Sequence, residues 1–172
     1  PPHSGAKNLP DFFIVGAAKS ATTSLHSYLQ QHPGVFLPRQ KELYFFSFNG
    51  GKPAFKLADG TIREPVGCNA AEYFRHYEKC PSGSLAGDTT SWYLYYCDEV
   101  IANIKKMYGP DTEKIKIIMV LRNPIDRAWS HYSMHKGQGL IGSPFKEAVQ
   151  GQLAQQVKDP SNQIFPGYDY IG

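Results

Sequence analysis

Three observations predict an α/β fold, a central parallel sheet flanked by helices. The runs Phe12 to Val15 and, but for Lys116, Ile115 to Leu121 are apolar throughout rather than alternating, which is the pattern of strands covered on both faces. Each run passes through small or turn-forming residues straight into a helical stretch. Strands that alternate with helices imply right-handed crossovers within one parallel sheet. A length of 172 residues suits a single domain, 1–172, with a real core, and residues 1–10 read as a linker or chain edge.

The elements follow in order. The first strand covers Phe12 to Val15 and a helix runs from about Thr22 to Gln31. An aromatic, glycine-rich region from Val35 to Val66 has turns marked by Asn49-Gly50-Gly51 and Asp59-Gly60. It is too long for an idle connection and is expected to wall a cleft. An amphipathic helix is predicted over Ala70 to Cys80, a short strand over Leu85 to Gly87, and a helix over Asp98 to Tyr108, ended by Gly109-Pro110. The β-branched run Lys116 to Leu121 suits a central strand, and helices follow at about Ile125 to Lys136 and Pro144 to Val157.

Chemistry concentrates where the first strand ends. Gly16-Ala17-Ala18-Lys19-Ser20-Ala21-Thr22-Thr23-Ser24 is a turn of small residues that opens a helix. Backbone N–H groups there can approach an anion closely, and the helix end adds unpaired donors and a positive dipole. Lys19 supplies a formal charge; Ser20, Thr22, Thr23 and Ser24 supply hydroxyls. An ordinary strand-to-helix turn capped by Ser or Thr would use the same residue types. The Walker A spacing is not met, because Lys19 comes three residues after Gly16 and Ala21-Thr22-Thr23 follow.

This segment resembles the 5′-phosphosulfate loop of the sulfotransferase family, Pro-Lys-Ser-Gly-Thr-Thr, with Ala18 in place of Pro and Ala21 in place of Gly. Alanine tolerates a left-handed backbone poorly. Position 21 therefore predicts either a turn of negative φ or strained cofactor binding. A second stretch, Arg122-Asn123-Pro124-Ile125-Asp126-Arg127-Ala128-Trp129-Ser130-His131-Tyr132, is similar to the family's 3′-phosphate motif. The resemblance implies a P-loop-NTPase-like three-layer fold and the donor 3′-phosphoadenosine 5′-phosphosulfate (PAPS), released as adenosine 3′,5′-bisphosphate, with no metal. It assigns Gly16, Lys19, Ser20, Ala21, Thr22, Thr23 and Ser24 to the 5′-phosphate side, and Arg122 and Ser130 to the 3′-phosphate. Arg127 is expected to support the turn or an acidic neighbour.

Two further stretches resemble the carbohydrate-type and bacterial branch. In Lys41-Glu42-Leu43-Tyr44-Phe45-Phe46, Glu42 matches the position of the family's base, and the aromatic run is suited to desolvating it, to core packing, or to both. Catalysis is thus implied for Glu42 and Lys19. In Gly87-Asp88-Thr89-Thr90-Ser91-Trp92-Tyr93-Leu94 the family pattern has an acidic residue, then often Lys in glycosaminoglycan-modifying members, then Ser or Thr and Pro. Here Thr89 replaces the Lys and Ser91 the Pro. Asp88 reads as a structural carboxylate at a strand end, with orientation of Lys19 or a second acid/base role as alternatives.

Composition bounds the remaining choices. A net charge of +3 suits an anionic ligand without basic runs of the nucleic-acid-binding kind. No apolar stretch approaches the roughly 18 residues of a membrane span. Cys68, Cys80 and Cys97 form no Cys-x-x-Cys pair, which argues against a metal cage or redox motif. His131 and His135, spaced for one helix face, lack an accompanying metal signature. With no leader and no Asn-x-Ser/Thr acceptor, a cytoplasmic enzyme is expected, or a Golgi lumenal one if the chain is an excised catalytic domain. Family members are longer, so the chain is expected to be an N-terminal portion, incomplete at its C-terminal end, where Ile164 to Gly172 reads as a substrate-side loop. The predicted function is sulfuryl transfer from PAPS to a hydroxyl or amine of a carbohydrate, lipid or other small acceptor. A P-loop kinase or NTPase, and an inactive nucleotide-binding module, are the alternatives.

Overall fold

The computed structural model describes residues 9–48, 55–56, 62–63, 69–139 and 141–158. In chain order these form β1 (Phe12–Gly16), α1 (Thr22–Leu29), β2 (Val35–Phe36), β3 (Phe55–Lys56), β4 (Ile62–Arg63), α2 (Ala70–Arg75), β5 (Leu85–Thr89), α3 (Cys97–Tyr108), β6 (Lys116–Met119), α4 (Pro124–Gly137) and α5 (Phe145–Lys158). The chain divides into two compact units, Pro1–Pro53 with Glu64–Leu121 and Ala54–Arg63 with Arg122–Gly172.

The first unit is built on a four-stranded sheet of order β2-β5-β1-β6, parallel throughout. β1 shows why its sequence is continuously apolar. Phe13 and Val15 pack into a core with Tyr73 of α2 and Val100, Ile104 and Tyr108 of α3, joined by Phe46, Tyr77 and Tyr93. Phe12 and Ile14 project into a second core with Leu37 and with Leu25 and Leu29 of α1. Helices therefore cover both faces of β1. The parallel sheet flanked by helices is the architecture expected from the sequence.

Close approach dictates two glycines. A Cβ on Gly87 of β5 would lie 2.2 Å from the Phe12 ring. Gly16 has φ +150°, and a Cβ there would sit 2.7 Å from the Ser91 carbonyl oxygen. The end of β1 can thus meet the turn after β5 only without a side chain.

Several element bounds differ from expectation for local reasons. α1 stops at Leu29, two residues early, where Gln31 and His32 donate to Tyr28 and Leu29 in tighter i to i−3 turns ahead of Pro33. α2 ends at Arg75 rather than Cys80. His76 and Tyr77 again donate to carbonyls three residues back, and Tyr77 OH reaches the Gly87 carbonyl at 3.1 Å. At six residues α2 is too short to persist alone. It is held by the Asn69 side chain, which accepts from Glu72 N–H at 2.9 Å, and by the fully buried Tyr73, worth roughly 2 kcal/mol of apolar burial.

Among the described residues β6, expected as a central strand, lies at the edge of the sheet. Among the described residues no strand pairs with its outer side, and Ile117 (49 %), Met119 (57 %) and Leu121 (72 %) are exposed.

In the second unit β3 and β4 form an antiparallel pair. α4 packs on the start of α5 and the turn before it through Ala128 and Tyr132, which meet Ile141, Phe145, Ala148 and Val149. The Tyr132 hydroxyl donates to the Ser143 carbonyl at 2.8 Å. The turns expected at Asn49-Gly50-Gly51 and Asp59-Gly60, the loop Ile164 to Gly172 and Cys68 lie outside the described residues, as does most of 1–10. No described helix is long and apolar enough to cross a membrane.

Candidate active site

β1 hands the chain to α1 through a turn with an unusual backbone. Ala17 N–H donates to Val120 O at 2.8 Å, and Ser20 N–H closes the turn on Ala17 O at 3.2 Å. Lys19 (φ 67°) and Ala21 (φ 63°) are both left-handed, the conformation that gathers successive N–H groups around one concavity. Ala21 is the N-cap of α1 and offers no side-chain hydrogen bond. The contrast with α4 is informative. There Asn123 Oδ1 accepts from Ile125 and Asp126 N–H at 3.0 and 3.3 Å, and Pro124 takes the first turn. One strand-to-helix junction is closed by its own cap; the other has none.

Ser20 adds a second mark. Its Oγ is buried with no hydrogen-bond partner among the described residues, a deficit that costs about 1–3 kcal/mol when nothing fills it. A hydroxyl and uncapped helix donors beside Lys19 fit an anionic group such as a 5′-phosphosulfate. Ser20 and Thr22 are buried, Lys19 is half-buried, and Ala21, Thr23 and Ser24 are exposed.

The expected negative φ at Ala21 is not adopted; the residue is left-handed (φ 63°), which costs an alanine roughly 1 kcal/mol. Ala21→Gly is expected to raise stability by up to ~1 kcal/mol, less the entropy glycine adds to the unfolded chain. Denaturant unfolding of the two proteins checks it, and a lower midpoint for the glycine variant would contradict the strain.

Glu42 stands next to this turn. Its backbone is also left-handed (φ 56°), and its N–H donates to Thr89 O at 2.9 Å at the end of β5. Its carboxylate accepts from Ser91 N–H (Oε2, 2.9 Å) and Ser91 Oγ (Oε1, 2.8 Å). Lys41 Nζ lies 3.6 Å from Oε1 and donates to Thr23 Oγ1 at 2.8 Å. The carboxylate is thereby tied to the first turn of α1. Burial raises the Glu42 carboxyl above its ordinary range, opposed by the Lys41 charge and the Ser91 hydrogen bonds. Phe45 and Phe46 belong to the core while Tyr44 is half-buried, so the aromatic run packs and shields together.

Asp88 is fully buried and has the structural role expected of it. It accepts from Tyr73 OH (2.8 Å), Tyr93 OH (3.0 Å) and Thr90 Oγ1 (2.9 Å). Burial pushes its carboxyl up to about 6 despite those three donors. The residue beside it is read differently: Thr89 Oγ1 shares a 2.9 Å hydrogen bond with Nδ1 of the buried His26. Burial and the nearby Lys41 charge lower that imidazole to about 4, so it is neutral at pH 7.

Arg122 and Ser130 belong to the second unit. Arg122 is exposed immediately before the Asn123 cap, and Ser130 is half-buried on α4. Arg127 is buried there, as are His131 and His135, whose ring centroids are 4.6 Å apart. No group of three or more His, Cys, Asp or Glu among the described residues is arranged to hold a metal ion. The structure brings the β1 turn, Glu42 and the turn after β5 close together; sequence reasoning singled out all three segments but missed Lys41 and His26 and saw Ser91 only as a departure. The signal for Ser91 was there: a residue with two donors stood where the family pattern has one with none.

Comparison with known proteins agrees with this geometry. Residues 10–165 match the model of the Sulfotransferase family. The chain is 28% identical over 124 residues to the membrane-associated sulfotransferase kil1 of Dictyostelium discoideum, covering 72% of this chain and 22% of that protein. It is 32% identical over 134 residues to the bifunctional heparan sulfate N-deacetylase/N-sulfotransferase 2 of Bos taurus, covering 76% of this chain and 13% of that one. The crystal structure of a sulfotransferase from Alicyclobacillus acidocaldarius superposes with a TM-score of 0.74 at 31% identity, over 94% of this chain and 62% of the other. The chain thus spans a minor part of the length of these curated relatives. By sequence match, fold and the agreement of its motifs, the chain belongs to the sulfotransferase family.

Proposed function

We propose that the protein transfers a sulfuryl group from PAPS to a hydroxyl or amine. The observation that carries this reading is the junction of Lys41 with Thr23 and Glu42, at 2.8 and 3.6 Å: a carboxylate suited to take a proton stands against an uncapped, lysine-bearing turn suited to hold a phosphosulfate. When bound, PAPS supplies an activated sulfuryl group and departs as adenosine 3′,5′-bisphosphate. Lys19 and the donors of Ser20 and of residues 21–24 hold the 5′-phosphate and neutralise charge as it grows on the leaving oxygen. Glu42 receives the acceptor's proton, so the attacking oxygen or nitrogen gains nucleophilicity as it bonds to sulfur. Motif order supports the assignment of Arg122 and Ser130 to the 3′-phosphate. The name of the Bos taurus relative speaks of heparan sulfate and makes carbohydrates the first acceptors to screen.

Calorimetry of adenosine 3′,5′-bisphosphate against ATP, without and with Mg²⁺, tests the reading. Metal-independent preference for the bisphosphate is the expected result. Preference for ATP that requires Mg²⁺ would replace it with a kinase or NTPase.

A further inference from the structure

We propose that Ser91 is the positioning residue of the proton-transfer step, holding both carboxylate oxygens of Glu42 in one orientation against the cofactor turn. The inference rests on Glu42 being the base, as proposed above. One residue provides both donors: the N–H to Oε2 at 2.9 Å and the hydroxyl to Oε1 at 2.8 Å. With the Glu42 N–H anchored on Thr89 O at 2.9 Å, base and support are joined at three points to the turn that follows β5. That turn is itself rigid. Thr90 N–H donates to Ile14 O and Leu94 N–H to Val15 O, and Thr90 Oγ1 is bonded to the buried Asp88.

The two oxygens are not equivalent. Oε1 is shared between the Ser91 hydroxyl and the Lys41 charge, whereas Oε2 accepts only the Ser91 N–H among the described residues. Oε2 keeps a lone pair and lacks the neighbouring cation, so it is the oxygen that takes the acceptor's proton.

Proline, the usual residue in the family pattern at this position, has neither donor. The clamp is therefore a property of this chain. Its chemical effect has a definite sign. Hydrogen bonds to a carboxylate favour the ionised form, and burial favours the protonated one. Each donor removed should raise the Glu42 carboxyl further, and activity that needs the carboxylate should then fail at higher pH as the solution is acidified.

The test uses three variants of the full chain, Ser91→Ala, Ser91→Pro and Ser91→Thr, read in two ways. The first readout is independent of catalysis: ¹³C NMR titration of the Glu42 carboxyl carbon, identified by its loss in Glu42→Gln. The expected order of titration midpoints is Thr equal to wild type, then Ala higher by roughly one unit, then Pro higher again. The second readout is the acid limb of the kcat profile, which should move in the same order while adenosine 3′,5′-bisphosphate affinity changes little. Should the proline variant not fold, the alanine and threonine pair still decides. An unchanged titration midpoint in Ser91→Ala would overturn the clamp whatever the protein's activity. A midpoint that shifts while the acid limb stays fixed would overturn the catalytic role of the clamp together with the reading of Glu42 as base, and bisphosphate binding would still report on the cofactor site.

Discussion

Replacing Lys19 by alanine is expected to slow sulfuryl transfer about 10³-fold or more, the scale of losing a charged donor aimed at a developing oxyanion. The physical basis is position. Lys19 sits at a left-handed residue of the turn (φ 67°) between Gly16 and the uncapped start of α1. Its ammonium is the only formal charge within residues 16–24. Negative charge on the leaving 5′-phosphate increases as the bond to sulfur breaks, so the loss should appear mainly in kcat, with a smaller weakening of adenosine 3′,5′-bisphosphate binding. Single-turnover kinetics alongside calorimetry separate the two. Near-normal turnover in the variant would remove Lys19 from the chemistry, leaving the turn a structural junction.

Glu42→Gln is the second large effect, a drop of roughly 10²–10⁴ in transfer rate with bisphosphate affinity nearly intact. Glutamine preserves shape and can still accept a hydrogen bond from Ser91 through its carbonyl oxygen, but it cannot take a proton at neutral pH. Among the described residues the carboxylate reaches the first turn of α1 only through Lys41, which can keep its 2.8 Å bond to Thr23. Simultaneous loss of rate and of nucleotide affinity would assign Glu42 a structural role. Retained rate would move the base elsewhere, and Asp88, fully buried and bonded to Tyr73, Tyr93 and Thr90, is shut away from an acceptor.

The match between sequence and structure is uneven in an instructive way. β1 was legible because a strand covered on both faces must be apolar throughout, and Phe12 to Val15 alternate between two cores. The phosphate-type turn was legible because small residues, a lysine and hydroxyls are needed close together for anion binding. β6 was legible as a strand but not as an edge. An apolar run reports what a strand prefers to touch, not what is present to touch it, and Ile117, Met119 and Leu121 remain exposed. α2 was overextended because its spacing continues past Arg75, while the backbone tightens there and Tyr77 bonds to Gly87.

Local pattern alone thus indicated the parallel α/β architecture and a lysine-bearing strand-to-helix turn suited to an anion, since each depends on residues adjacent in the chain, while the candidacy of Glu42 and Lys19 came from the resemblance of those segments to the family. The tertiary structure alone decided which way the alternatives fell. Ala21 is left-handed because the turn must leave β1 beside Val120 and enter α1; Asp88 is enclosed because α2 brings Tyr73 over β5. The partnership of Glu42 with Ser91 joins residues far apart in the sequence, and no local pattern encodes it. It arises because β2 pairs in parallel with β5 and the chain after β2 runs on to the end of β5, where Glu42 N–H meets Thr89 O, and hydrogen bonds form between whatever donors and acceptors that pairing brings within 3 Å.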